Sequence, residues 1–137
     1  AFNVMRRLRL PYSQAQEMFR RIVFNVVVRN QDDHTKNISF LMDESGKWRL
    51  SPAYDMGFAY NPKGAWTATH QMSINGRYDN ITRADLLALA ASNNIKGASE
   101  IIEQVCETAA LWPKLAKDCG VPQKMIAGIV PHMLLDL

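Results

Sequence analysis

The sequence predicts a mainly α-helical α+β domain that carries one small β-hairpin. Three features lead there. A long apolar stretch with helical spacing runs from about Gln14 to Arg29, and the turn signal Asp43-Glu44-Ser45-Gly46 lies between two strand-forming segments. From Thr82 onward, caps, helical periodicity and Pro or Gly stops alternate as they do in a run of helices. The 137 residues are enough for one domain with a real core. No repeat, low-complexity tract or linker divides them, so residues 1–137 read as a single domain.

The first expected element is the helix from about Gln14 to Arg29, opened by Ser13 and Gln16 at capping-box spacing. Met18, Ile22, Asn25 and Arg29 form one stripe and Phe19, Val23, Val26 and Val27 the adjoining one, which predicts a core helix. It gives way to the polar cluster Asn30-Gln31-Asp32-Asp33-His34. Asn37 to Met42 and Lys47 to Leu50 then read as the two strands of a hairpin, left through Pro52, which cannot donate to a ladder. Residues 61–80 are rich in Gly, Pro, Thr and Asn, predicting a long excursion with one short strand near Gln71 to Ile74. Thr82 and Asp85 cap a helix to about Ser92. A longer helix is expected from Ala98 to Lys117 with Gly120 as its stop, and a last one after Pro122 to about Leu135. The expected core joins Phe19, Ile22, Val23, Leu86, Leu89, Ile101, Ile102 and Leu111.

Composition excludes little. Hydrophobic residues make up 47% and charged residues 21%, ordinary values for a globular protein. The formal net charge of +3 permits an anionic partner without requiring one, and the arginines at 6, 7, 9, 20 and 21 read as solvated helix faces. No apolar run reaches the roughly eighteen residues of a membrane span, so no membrane partner is expected. The start AFNVMRRLRLPY has no signal-peptide pattern and no initial Met, which suggests a piece of a longer chain. Cys106 and Cys119 lack a CxxC pair or a neighbouring His, so both read as buried thiols in a reducing cytoplasm.

Chemistry concentrates in residues 30–37 and in Tyr54-Asp55. Phosphoryl transfer to a hydroxyl needs a carboxylate for the hydroxyl proton and hard oxygen donors to hold Mg²⁺ against the phosphates. Asp32 and Asn37 stand at the D-x-x-x-x-N spacing of kinase catalytic loops. Asp55 follows a hairpin, where kinases place a second metal carboxylate. Taken singly, each has an ordinary explanation: Asp32 and Asp33 as turn residues, His34 as a structural histidine, Asp55 as a cap. The conjunction of core helix, D-D-H-x-K-N, hairpin and Y-D favours the kinase loop. A metal-dependent hydrolase built on Asp32, Asp33, His34 and Asp55 is the weaker alternative, because such sites gather more His and Asp ligands. A catalytically inert interaction module is the other.

N-x-D-D-H-x-K-N (Asn30 to Asn37), S-P-A-Y-D (Ser51 to Asp55), H-Q-M-S-I-N-G (His70 to Gly76) and T-R-A-D-L-L (Thr82 to Leu87) together resemble the HipA family of bacterial serine/threonine kinases. The likeness spans nearly the whole chain. The loop D-x-H-x-x-N is also similar to that of phosphoinositide kinases and differs from the H-R-D order of ordinary protein kinases. The resemblance implies the C-terminal lobe of a protein-kinase-like fold, with Asp32 as catalytic base and Asn37 and Asp55 as Mg²⁺ ligands. It makes His34, Thr35, Lys36, Asn37, Tyr54 and Asp55 the ATP-binding residues. It also implies a toxin of a toxin–antitoxin pair that phosphorylates a protein serine, as on an aminoacyl-tRNA synthetase. Such a toxin is held by a helix-turn-helix antitoxin, through which alone it meets DNA. The family's glycine-rich phosphate loop and ATP-anchoring lysine, which lie in an N-terminal lobe, have no counterpart in these residues. This chain alone is therefore expected to bind ATP weakly and to turn over little.

Overall fold

A computed structural model describes all 137 residues. In chain order the elements are α1 (Phe2–Arg7), α2 (Tyr12–Val27), a 3₁₀ turn (Thr35–Asn37), β1 (Phe40–Met42), β2 (Trp48–Leu50), α3 (Arg83–Ser92), α4 (Ala98–Ala110), α5 (Trp112–Asp118), α6 (Gln123–Ile129) and a second 3₁₀ turn (Val130–His132). This is the expected α+β class, with one antiparallel hairpin among helices.

The core forms between α2 and α4. On α2, Met18, Phe19, Ile22, Val23, Val26 and Val27 are buried, the stripe that the helical spacing marks out. On α4 the facing residues are Ile101, Ile102, Val105, Cys106 and Ala109. Leu86 and Ala90 of α3 close one side, and Phe2 and Met5 of α1 close another. A six-residue helix is far too short to persist alone, so α1 is held by that burial. The C-terminal tail returns to the end of α2, where the Leu134 N–H donates to the Val27 carbonyl at 2.8 Å. Arg29 also reaches the tail, donating through Nε to the His132 carbonyl at 3.2 Å, with its guanidinium 4.8 Å from the Tyr60 ring. No helix is long and apolar enough to cross a membrane.

Several elements differ from expectation, each for a local reason. Helix α1 was not anticipated at all. Helix α2 begins at Tyr12 behind Pro11, with no side-chain cap, so Ser13 lies inside the first turn. Gln14 and Gln16 serve tertiary bonds instead: Gln14 Oε1 accepts from the Leu50 N–H at 2.6 Å, and Gln16 reaches the Lys96 carbonyl. The expected 98–117 helix breaks at Leu111, because Pro113 has no N–H for the Ala109 carbonyl and suits the first turn of a new helix. Leu111 is accordingly exposed rather than in the core. Pro131 likewise ends the last helix at Ile129 and leaves a 3₁₀ turn. The hairpin strands are shorter than expected, since Asn37 is drawn into the 3₁₀ turn. Cys106 is buried, whereas Cys119 is exposed.

No strand forms at Gln71 to Ile74. Ile74 and Arg77 pair across a two-residue turn in which Asn75 and Gly76 both take positive φ (51° and 78°), the Asn-Gly geometry of a type I′ turn. That turn delivers Asn75 to the start of α3. There Thr82 and Asp85 make the expected capping box, and the buried Asp85 carboxylate accepts from Asn75 Nδ2 (2.9 Å), the Thr82 N–H (3.0 Å) and the Thr82 hydroxyl (2.7 Å), with Arg77 Nε at 3.5 Å. The Asn75 bond, then those from Thr82, hold the Asp85 carboxyl down at about 2 despite its burial. A carboxyl lowered in the folded state contributes stability above the unfolded value of 3.8 and loses it as pH falls through that value toward 2. The urea midpoint is therefore expected to hold steady above that range and to fall steeply within it. In Asp85→Asn that acid limb should flatten, with a lower midpoint at neutral pH. An unchanged acid limb in the variant would mean that other carboxylates govern it.

Candidate active site

The loop after α2 is shaped by how the helix ends. Arg29 turns left-handed (φ 56°), so that the Asn30 N–H bonds back to the Asn25 carbonyl at 2.8 Å and the Arg29 N–H to that of Val26 at 3.3 Å, a Schellman termination. The chain then extends, and successive side chains face opposite ways. Gln31 and Asp33 point inward and are buried; Asp32 and His34 point outward, their side chains 48% and 39% exposed. His34 Nε2 lies 3.9 Å from Asp32 Oδ1. The 3₁₀ turn at Thr35–Asn37 folds the loop back, and Asn37 Nδ2 donates to the Asp32 carbonyl at 3.0 Å. One end of the D-x-x-x-x-N run thereby clasps the other.

The second strip of the site is tied to this loop from below. Asn30, 3% exposed, donates through Nδ2 to Asn25 Oδ1 (3.0 Å) and to the Asp55 carbonyl (3.1 Å). Asp55 is held in left-handed conformation (φ 55°), a strained position that such bonds must maintain. Tyr54 donates its hydroxyl to the Lys36 carbonyl at 2.8 Å. Gln31 N–H donates to the Ala59 carbonyl at 3.0 Å, pairing the loop with the chain beyond Asp55.

Among the residues marked out from the sequence, Asp33, His34, Asn37, Tyr54 and Asp55 line one cleft, with Asn25, Asn30 and Arg21 beside them and Met18 and Ile22 also in its wall. Asp32 stands outside that lining, joined to it through His34 and Asn37. Thr35 and Lys36 are exposed and contribute no wall. Residues 1–113 match the family model of the HipA-like C-terminal domain. The chain belongs to that HipA-like family. Searches of curated proteins and of solved structures gave no match.

The donor set of this HipA-like domain fits Mg²⁺ held against phosphates. Asn37 spends its amide nitrogen on Asp32, leaving its oxygen, and Asp55 makes no ion pair, so a neutral and an ionic hard oxygen share one cleft. One or two such protein ligands are what Mg²⁺ takes when phosphates and water complete its shell. His34 Nδ1 is buried without a partner beside the same cleft, a polar atom suited to a ligand's hydrogen bond. A hydrolase cluster is less well served. No three His, Cys, Asp or Glu side chains converge, and both Asp33 oxygens are taken, by His70 Nδ1 at 2.9 Å and by the Gln71 N–H at 2.7 Å.

Sequence reasoning missed Asn30, Arg21 and the Asp33–His70 pair. Residues 31–34 are all polar, so no alternation marks which of them turn inward, and nothing in spacing reveals a partner 37 positions away. The role of Asn30 is testable on stability. Asn30→Ala would leave Asn25 Oδ1 and the Asp55 carbonyl without their donor in a buried place, costing about 1–3 kcal/mol. Urea denaturation should show that loss; a change within about 0.5 kcal/mol, as for an ordinary surface site, would count against the bridge.

Proposed function

We propose that this domain is the proton- and metal-handling lobe of a kinase that transfers the γ-phosphoryl group of ATP to a serine or threonine hydroxyl of a protein. The observation that carries the proposal is the Asp32–Asn37 clasp. It holds a free carboxylate outward while the residue that clasps it lines a cleft with Asp55.

In this reading the acceptor hydroxyl approaches Asp32. As its oxygen bonds to the γ-phosphorus, the proton passes to the Asp32 carboxylate and the bond to the ADP oxygen breaks. Asn37 and Asp55 would hold Mg²⁺, whose bound chemistry is to neutralise charge on the phosphates. His34 and Tyr54 wall the nucleotide's phosphate end, and Thr35 and Lys36 lie at its solvent edge, where Lys36 offers a positive charge. The family likeness extends the proposal to a cytoplasmic toxin restrained by a helix-turn-helix antitoxin, with a serine of an aminoacyl-tRNA synthetase as a fitting acceptor. The positive groups that grip the β- and γ-phosphates belong, in this reading, to a second lobe.

Two expected outcomes follow from these roles. In the intact protein, Asp32→Asn should lower phosphoryl transfer by about 10²- to 10⁴-fold with an unchanged melt, because the group lost acts on a proton rather than on packing. Wild-type transfer rates from that variant would refute the assignment. Asn37→Ala and Asp55→Ala should each weaken Mg²⁺-dependent nucleotide binding, and the double variant should be little worse than either single one, since both act through one ion. Simple addition across the double-mutant cycle, read by calorimetry, would place the two residues at separate sites.

A further inference from the structure

A buried contact between two polar side chains lies one residue from Asp32. Asp33 and His70 have side chains 4% and 3% exposed, and Nδ1 of the imidazole is 2.9 Å from Oδ2 of the carboxylate. An ionised carboxylate only accepts, so Nδ1 carries the proton. The other carboxylate oxygen accepts from the Gln71 N–H at 2.7 Å, and His70 is itself placed by its N–H to the Tyr78 carbonyl at 2.8 Å. The neighbouring inward residue repeats the arrangement. Gln31, with its amide nitrogen turned to the carbonyls of Thr67 (2.9 Å) and Ala68 (3.0 Å), grips the same segment. Residues 67–71 thus form a track into which the inward side chains of the loop are keyed.

Stability alone does not account for such a pair. A buried polar pair adds little over apolar residues of the same volume, because desolvating the carboxylate and the imidazole offsets most of what their hydrogen bond contributes. Geometry does account for it. In an extended chain, fixing the inward direction of Gln31 and Asp33 fixes the outward direction of Asp32 between them. We propose that Asp33 and His70 are positioning residues that set the aim of the Asp32 carboxylate. Neither touches the reacting atoms; they act through the backbone on either side of Asp32. The proposal rests on the kinase reading for the meaning of that aim. The keying of the loop to residues 67–71 is a separate physical claim.

The test uses the intact protein, with Mg²⁺–ATP and casein as a generic serine acceptor, alongside amide hydrogen exchange. Asp33→Ala and His70→Ala should lower kcat about a hundredfold, the cost of a small misplacement of a reacting group, while the KM for Mg²⁺–ATP stays within about twofold. His70→Asn, whose Nδ2–H can stand in for Nδ1–H, should recover most of the lost kcat. In Asp33→Ala, exchange should quicken together in residues 31–37 and 67–71. Full kcat in folded Asp33→Ala, beside a crippled Asp32→Asn, would sink the positioning role and leave the kinase reading standing. His70→Asn no better than His70→Ala would also overturn the role. If Asp32→Asn matches the wild type, or the wild type transfers no phosphate, the kinase reading is the one in trouble. The exchange result then decides the keying alone, and it fails unless both segments loosen together.

Discussion

The burial of one side of α2 against α4 is the constraint from which the candidate site hangs. Each fully buried aliphatic or aromatic side chain on that face contributes about 1.5–3 kcal/mol relative to exposure, and six of them lie within ten residues, Met18 to Val27. That concentration fixes the helix in position and rotation. It also decides where the last turn ends, and with it where Asn30 begins. Leu134, returning from the far end of the chain, bonds to the Val27 carbonyl, so even the terminal turn of α2 is tied down. The loop that carries Asp32 therefore starts from a rigid root. A residue at the tip of a long free loop would have no comparable reference frame.

Beyond that root, polar groups take over the work of apolar ones. Asn30, Gln31, Asp33, Ser51, His70 and Asp85 are the buried polar residues, and each has a partner. Five of them bond to or within the stretch between Asp55 and Asp85, where Ile74 and Ile81 are the only buried apolar side chains. A polar network fully satisfied specifies one arrangement, because any other leaves buried donors or acceptors unpaired. A segment rich in Gly, Pro, Thr and Asn can in this way hold a definite shape without a strand or helix. His34 Nδ1 is a buried exception, and it lies at the cleft.

This division explains what was legible in the sequence. The periodic face of α2, the Thr82–Asp85 cap, the Asp43-to-Gly46 turn and the left-handed stop at Gly120 all rest on interactions within a few residues, which spacing records directly. The grouping of His34, Asn37, Tyr54 and Asp55 was also readable, though through a pattern of motifs rather than through their spacing alone. Interactions that cross the chain were not. Helix α1 exists only because Phe2 and Met5 find α2 and its neighbours, and the breaks at Pro113 and Pro131 had to compete with continuing helical periodicity. Gln14 and Gln16 look like capping chemistry, yet they bond to Leu50 and Lys96. Asp33 carried the signature of a turn residue while its partner sat in a motif that had no assigned purpose.

The charges around the cleft carry the functional reading one step further. Its fixed groups lean acidic: Asp33 and Asp55 both line it, and Asp32 stands just outside. The one arginine in the lining, Arg21, is drawn 2.9 Å from Glu17, and Lys36 is exposed, where an ionic contact in high dielectric is worth at most about 1 kcal/mol. An acidic surface of this kind disfavours a bare polyphosphate more than one whose charge a cation has already offset. Under the kinase reading the lobe is therefore selective by electrostatics before any shape is read. It favours the Mg²⁺-bound nucleotide, and it leaves the direct neutralisation of phosphate oxygens to groups that approach from the open side of the cleft. Asp32 gains from the same arrangement. Its only near cationic partner is His34, with Nε2 at 3.9 Å, so the carboxylate is left facing outward, where that reading needs it.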